Sequence, residues 1–113
     1  MQTMHTVETI INELCAKLST IFPHDKIDAI LFGSYARGDA EFGSDIDVLI
    51  LVDSSRQTIV QKNWQIGELA ADFLLNSDIV ISPLVENREY FHANANVLPF
   101  YRNIQSEGVS ISV

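Results

Sequence analysis

The strongest constraint on the fold is the run IDVLILV at residues 46–52, in which Asp47 is the only charged side chain. A short run that is apolar throughout is typical of a strand buried on both faces of a sheet. Residues 27–32 form a second short apolar run, which stops at Gly33 and Ser34. The polar segment between the two runs, residues 35–44, predicts a loop, with a helical turn starting just after Gly33. We therefore expect two strands with a hairpin-like connection.

The rest of the chain adds helices and a third strand. Apolar residues at helical spacing predict helices over residues 6–20 and about 57–75. The second helix is expected to pack through one apolar face, marked by Val60, Trp64, Gly67, Ala71 and Leu74. Residues 78–85 predict a third strand, and Pro83 places its end at a sheet edge or a bulge. One or two short helices follow Glu86, and residues 109–113 are a candidate tail strand. The order predicts an α/β (α+β) fold with a small mixed sheet flanked by helices.

Length and charge narrow the class of protein. The 113 residues are expected to form one domain, 1–113, and 47% hydrophobic with 19% charged residues is typical of a folded chain. The net charge of -8 argues against non-specific nucleic-acid binding, which requires Lys and Arg to neutralise phosphates. It is compatible with a basic protein partner, or with metal-assisted binding of a compact anion. Residues 1–6 lack the basic start and apolar centre of a signal peptide, and no apolar run is long enough to span a bilayer. We therefore expect no membrane association and a cytoplasmic location. The single cysteine, Cys15, is expected to be a buried structural thiol.

Asp45 and Asp47 stand at the start of the second strand. Residues two apart in a strand point to the same face, so the two carboxylates project together. Two neighbouring acids repel each other, and a divalent cation relieves that repulsion; Mg²⁺ commonly takes one or two carboxylates plus substrate phosphates. The other interpretation of the pair is a solvated strand end.

Gly33 and Ser34 follow the first strand directly. Glycine lets the backbone approach a phosphate closely, and serine supplies a hydroxyl donor. Such a pair alone is usually an ordinary turn. Ten residues separate Ser34 from Asp45, and a hairpin-like connection would bring the two features to one rim of the sheet. The combination predicts a phosphate and metal site.

The segment GSYARGDAEFGSDIDVLILV resembles the signature of the DNA polymerase beta-type nucleotidyltransferase superfamily. In detail it is similar to the stand-alone minimal nucleotidyltransferases (MNT) of prokaryotes, which have the nucleotidyltransferase fold. The close match covers residues 31–52, and the element order and the segment QSEGVSI extend a weaker resemblance over most of the chain.

This resemblance implies transfer of a nucleoside monophosphate, AMP from ATP in this family, to an acceptor hydroxyl. It implies that Asp45 and Asp47 hold Mg²⁺ while Gly33 and Ser34 hold the β- and γ-phosphates. Arg37 is a further candidate phosphate contact, and a salt bridge to Asp39 or Glu41 is the alternative interpretation of that side chain. In the family the acceptor is a HEPN-type protein, with the MNT protein as the antitoxin of a toxin–antitoxin pair.

A third carboxylate on a later strand completes the site in active members of this superfamily. If that position aligns with Asp78, the predicted catalytic and metal-binding set is Asp45, Asp47 and Asp78. If it aligns with Ser82, the third acid is missing.

Two other functions remain open. A catalytically silent protein of this fold would neutralise its partner by occlusion. Modification of a small molecule would require an acceptor site, which a homodimer could build.

Overall fold

We describe residues 2–113 of a computed structural model. The elements in chain order are α1 (Met4–Ile21), β1 (Asp28–Phe32), α2 (Gly33–Arg37), β2 (Ile46–Val52), α3 (Arg56–Gln61), α4 (Asn63–Ser77), β3 (Ile81–Asn87), α5 (Arg88–Asn94), α6 (Pro99–Glu107) and β4 (Val109–Ile111). The predicted mixture of helices with a small mixed sheet is confirmed.

The four strands form one mixed sheet in the order β3-β2-β1-β4. β1 pairs antiparallel with both β2 and β4, and β2 pairs parallel with β3. The β1–β2 connection is the predicted hairpin-like one, and it contains the short helix α2 at its start. β3 lies at an edge of the sheet, as Pro83 predicted, because a residue without an N–H cannot serve a strand paired on both sides.

Each face of the sheet carries its own apolar layer. On one face, α1 and α4 pack over alternate strand residues, among them Leu31, Val48 and Ile50. The other face presents Leu49 and Leu51 of β2 to α5 and α6. β2 is therefore buried on both sides, as its composition predicted; Asp47 is the exception, half-buried on the face of Leu49 and Leu51.

The predicted face of the second helix was wrong. The segment 57–75 is divided into α3 and α4 at Lys62, and the face named by the five predicted residues points to solvent: Val60, Trp64, Gly67, Ala71 and Leu74. A second stripe at the same helical spacing packs on the core instead, formed by Ile66, Leu69, Ala70 and Phe73. Both stripes have the period of an amphipathic helix, and only contact with the sheet distinguishes them.

The third strand also differs from its predicted bounds. β3 begins at Ile81 rather than at residue 78 and continues to Asn87. Asp78 ends α4 instead, at φ 56° in the left-handed conformation of a helix C-cap. This correction moves Asp78 out of the third strand, whereas Ser82 remains in it.

Candidate functional site

Gly33 connects β1 to α2 in a conformation that favours glycine. Its φ is +74°, in the left-handed region that L side chains rarely adopt. A Cβ at this position would collide with Asp47 Oδ2 and lie 3.2 Å from Asp47 Cγ. The backbone of Gly33 and the carboxylate of Asp47 are thus in direct apposition, and only a residue without a side chain permits it.

The β1–β2 register explains this proximity. Phe32 is the residue paired with Asp47, so the chain that leaves β1 at Gly33 passes beside the carboxylate that enters β2. Among the described residues no side chain caps the first N–H groups of α2, which leaves them available to an anion. The predicted meeting of the Gly33–Ser34 pair with the acidic strand at one rim is therefore present in the structure.

A cleft of about 400 Å³ opens at this rim. One wall comes from the segment singled out in the sequence, with Gly33, Ser34, Arg37 and Asp47. The opposite wall is α6, which contributes Phe100, Asn103, Ile104 and Glu107. Sequence reasoning missed the α6 wall, because nothing in the local pattern of residues 99–107 indicates which part of the sheet that helix contacts.

The electrostatics of Asp47 suit a cation. Partial burial raises the pKa of the Asp47 carboxyl, the nearby charge of Asp45 raises it further, and Arg37 opposes both effects. Two carboxylates that disfavour each other's charge are stabilised together when a divalent cation binds them. The hydroxyl of Ser82 lies 3.5 Å from Asp45 Oδ2, and it adds a third hard oxygen donor. Asp45, Asp47 and Ser82 therefore form a donor set that fits Mg²⁺.

The parallel pairing of β2 with β3 puts Ser82 beside the acidic pair. Ser82 is the residue opposite Asp47 in this register, whereas Asp78 lies before the strand. Asp78 instead lines a separate groove with Ser44, Ile46 and Val80. Within residues 2–113, no three His, Cys, Asp or Glu side chains come together as a metal site. The metal-binding role of Asp78 stays a prediction.

Arg37 lines the cleft, and it forms the salt bridge to Asp39 that was its alternative interpretation, together with a second one to Glu107 that was not predicted. Its Nε lies 3.3 Å from Asp39 Oδ2, and its Nη1 lies 3.8 Å from Glu107 Oε2. All three side chains are half-exposed, so these ion pairs are weak and can exchange for a phosphate. Glu107 links the end of α6 to α2 across the cleft.

Comparison with known proteins identifies the family. The family model described as a nucleotidyltransferase domain matches residues 7–110. The chain belongs to this nucleotidyltransferase family. Membership implies that the chain uses a nucleoside triphosphate as substrate, and members of the family usually require a divalent metal.

Three similar proteins come from Methanocaldococcus jannaschii, and each bears the name "putative protein adenylyltransferase". The first is 48% identical over 77 residues, which is 67% of this nucleotidyltransferase and 75% of the relative. The second is 40% identical over 79 residues, or 70% and 71% of the two chains. The third is 33% identical over 93 residues, covering 81% of this chain and 63% of the relative. No solved structure gives a significant match.

The nucleotidyltransferase has no helix between residues 2 and 113 that is both long and apolar enough to cross a membrane.

Proposed function

We propose that this nucleotidyltransferase is a protein adenylyltransferase, which transfers AMP from ATP to a hydroxyl group of a partner protein. The observation that carries the proposal is the apposition of Gly33 with Asp47 at a cleft that Ser34 and Arg37 also line. This arrangement supports the proposal, because Gly33, Ser34 and Arg37 are suited to bind phosphate and lie beside a carboxylate suited to hold a metal. The names of the three relatives support a protein as the acceptor.

Each site residue has a role in this proposal. Gly33 and Ser34 bind the β- and γ-phosphates, and Arg37 exchanges its weak ion pairs for a phosphate oxygen. Asp45 and Asp47 hold Mg²⁺, which when bound supplies neutralisation of the phosphate charge. The acceptor oxygen forms a bond to the α-phosphorus, and the bond from that phosphorus to the bridging oxygen breaks. Pyrophosphate leaves, and the hydroxyl proton passes to water.

We further propose that the partner is a HEPN-type toxin and that this chain is its antitoxin in the cytoplasm. The chain is expected to form a homodimer or a hetero-oligomer. The similarity of residues 31–52 to the MNT signature supports this pairing. The net charge of -8 supports a partner with a basic surface and disfavours direct non-specific binding of nucleic acid.

The test mixes the purified chain with the protein encoded beside its gene, ATP and Mg²⁺, and weighs the partner by mass spectrometry. The expected result is a mass gain of one AMP with the wild type and none with Asp45→Ala/Asp47→Ala or with EDTA. Glu41→Ala is the matched control, because Glu41 is an exposed acid in the same loop and is expected to leave transfer unchanged. A partner whose mass stays the same with the wild type would overturn the enzymatic proposal.

The position of Ser82 favours a second candidate, a silent protein of this fold that neutralises its partner by binding. In that case the site has no third carboxylate, and the Asp45→Ala/Asp47→Ala variant binds and silences the partner as well as the wild type does. Equal inhibition by the variant, with no mass gain for either protein, would establish this candidate over the first.

A further inference from the structure

A buried acid lies outside the cleft. Glu86 of β3 is 5% exposed, and it is the one buried charged side chain among residues 2–113. Strand alternation puts it on the same face of the sheet as Ser82, nearer the other end of β3. Burial of a carboxylate costs free energy unless hydrogen-bond partners replace its water. The partners of Glu86 therefore show which elements its burial connects.

Three donors from different parts of the chain satisfy the carboxylate. Glu86 Oε2 accepts from the backbone N–H of Asn87 at 2.8 Å and from Arg56 Nε at 3.2 Å. Glu86 Oε1 accepts from the hydroxyl of Tyr101 on α6. The guanidinium carbon of Arg56 in turn lies 3.7 Å from the centre of the Tyr90 ring on α5. The network thus connects β3 with α3, α5 and α6.

The Tyr101 hydroxyl remains a donor throughout the ordinary pH range. Burial and the hydrogen bond to Glu86 raise the pKa of Tyr101 well above its usual range. Tyr101 is therefore the donor and Glu86 Oε1 the acceptor of this hydrogen bond.

The other contacts of α6 lie near the ends of the helix and are partly exposed: Phe100 packs edge-to-face on Phe32 with ring centroids 5.8 Å apart, and Glu107 forms the weak ion pair with Arg37. Of its nine residues only Ile104 is buried, and no side chain in the described part of the chain caps its first turn. Tyr101 and Ile104 are three residues apart and face the sheet, whereas Phe100, Asn103 and Glu107 follow the neighbouring stripe that lines the cleft. A rotation that moves Tyr101 away from Glu86 also moves that stripe.

We propose that Glu86 and Tyr101 are positioning residues for the nucleotide. Their hydrogen bond holds α6 in the orientation that makes Phe100 and Asn103 the second wall of the cleft, although neither positioning residue lines that cleft. An apolar contact at this place would hold α6 close to the sheet but would leave its rotation free, whereas a satisfied buried polar pair selects one arrangement. The inference rests on the proposed function of the cleft as the ATP site.

The first experiment compares Tyr101→Phe with Tyr90→Phe. Each change removes one hydroxyl, but only the Tyr101 hydroxyl binds Glu86. With ATP and Mg²⁺ as the probe in calorimetric titration, Tyr101→Phe is expected to raise Kd about 3- to 10-fold, the equivalent of one lost hydrogen bond. Tyr90→Phe is expected to change Kd less than about 2-fold. Both proteins are titrated at a temperature where thermal unfolding shows them to be folded.

Rescue and coupling separate positioning from general stability. Glu86→Gln keeps an acceptor for the Tyr101 hydroxyl and is expected to retain more ATP affinity than Glu86→Leu, which keeps none. In the double variant Glu86→Leu/Tyr101→Phe the loss of affinity is expected to be less than the sum of the two single losses, because both changes break the same bond. If Glu86→Leu fails to fold, the Tyr101→Phe and Glu86→Gln comparisons carry the test alone.

Hydrogen exchange of the α6 amides provides a readout without nucleotide. Tyr101→Phe is expected to increase their exchange relative to the wild type and to Tyr90→Phe. If the wild type binds ATP and Tyr101→Phe has the same Kd and the same α6 exchange, this inference is overturned and the proposed function is not. A wild type that binds no nucleoside triphosphate would overturn the proposed function and with it the link from α6 to the nucleotide.

Discussion

At the scale of single residues, the site depends on what a glycine permits. Gly33 and Gly43 both have positive φ, +74° and +88°, but only Gly33 faces a crowded neighbour. At Gly43 an added Cβ would have no atom of residues 2–113 within 4 Å. A substitution at either position would therefore strain the backbone, but only a substitution at Gly33 would also displace Asp47.

We expect Gly33→Ala to lose nucleotide binding, because the new Cβ would displace the Asp47 carboxylate and occupy the phosphate side of the cleft. Gly43→Ala should cost about 1 to 2 kcal/mol of stability through the left-handed conformation alone and leave ATP affinity within about 2-fold. Calorimetric titration with ATP and Mg²⁺, together with chemical denaturation, measures both effects. Equal ATP affinity for the two variants would contradict the role given to Gly33.

Asp45 and Asp47 illustrate a trade between stability and metal binding. Because the Asp45 charge raises the pKa of Asp47, removing that charge should relieve repulsion in the metal-free protein. Asp45→Asn is thus expected to raise the melting temperature without Mg²⁺ and to lose the additional rise that Mg²⁺ gives the wild type. Scanning calorimetry with and without Mg²⁺ is the measurement. An Asp45→Asn protein that is less stable than the metal-free wild type would show that the pair is not under repulsive strain.

At the scale of elements, the start of β3 decides which residue accompanies the acidic pair. Asp78→Asn should change Mg²⁺ affinity less than about 2-fold, because Asp78 lies before the strand and Asn tolerates the same left-handed C-cap. The Ser82→Asp variant should bind Mg²⁺ with a Kd at least about 10-fold lower than that of the wild type, since the change adds a carboxylate opposite Asp47. Titration with Mg²⁺ tests both variants, and a large loss of affinity in Asp78→Asn would instead establish Asp78 as the third ligand.

The two apolar stripes of α4 lead to a second prediction at this scale. Phe73→Ala should destabilise the protein by about 3 to 5 kcal/mol, because Phe73 is buried against the core. Trp64→Ala should cost less than about 1 kcal/mol, because Trp64 is 79% exposed. Urea denaturation of the two variants is the measurement. A loss of several kcal/mol for Trp64→Ala would mean that its face is covered in solution.

At the scale of the whole molecule, an ionic cluster stabilises the end of the sheet farthest from the cleft. Arg88 donates to Asp28 at 2.8 Å, to Asp53, and to the backbone oxygens of Lys26 and Leu51. All four partners lie near the start of β1 or the end of β2. Gly33 and Asp47 lie at the opposite ends of those two strands. Stability and binding are therefore separable by position.

Arg88→Met is expected to lower the free energy of unfolding by about 1 to 3 kcal/mol, since it leaves two partly exposed carboxylates without their cation. ATP affinity should remain within about 2-fold of the wild type at a temperature where both proteins are folded. Denaturation and nucleotide titration of the same preparation test this separation. A parallel loss of both quantities would show that the two ends of the sheet are coupled.

The sequence by itself determined the central strands and the residues that meet at their rim. The continuous apolar character of residues 46–52 required a strand buried on both faces, and the connection from Ser34 to Asp45 is short enough to keep both features at one rim. The proximity of Gly33 to Asp47 was predictable because two strands joined by a short connection pair side by side, which brings the end of the first strand next to the start of the second.

Only the tertiary structure decided which distant residues join them. The register of the parallel β2–β3 pair puts Ser82 opposite Asp47, and a shift of one residue would have changed the face of every side chain. α4 carries two stripes of equal period, so contact with the sheet alone selected Phe73 over Trp64. α6 reaches the cleft through the buried contacts of Tyr101 and Ile104 with the sheet. These outcomes depend on pairing and packing between segments remote in sequence, which local patterns do not encode.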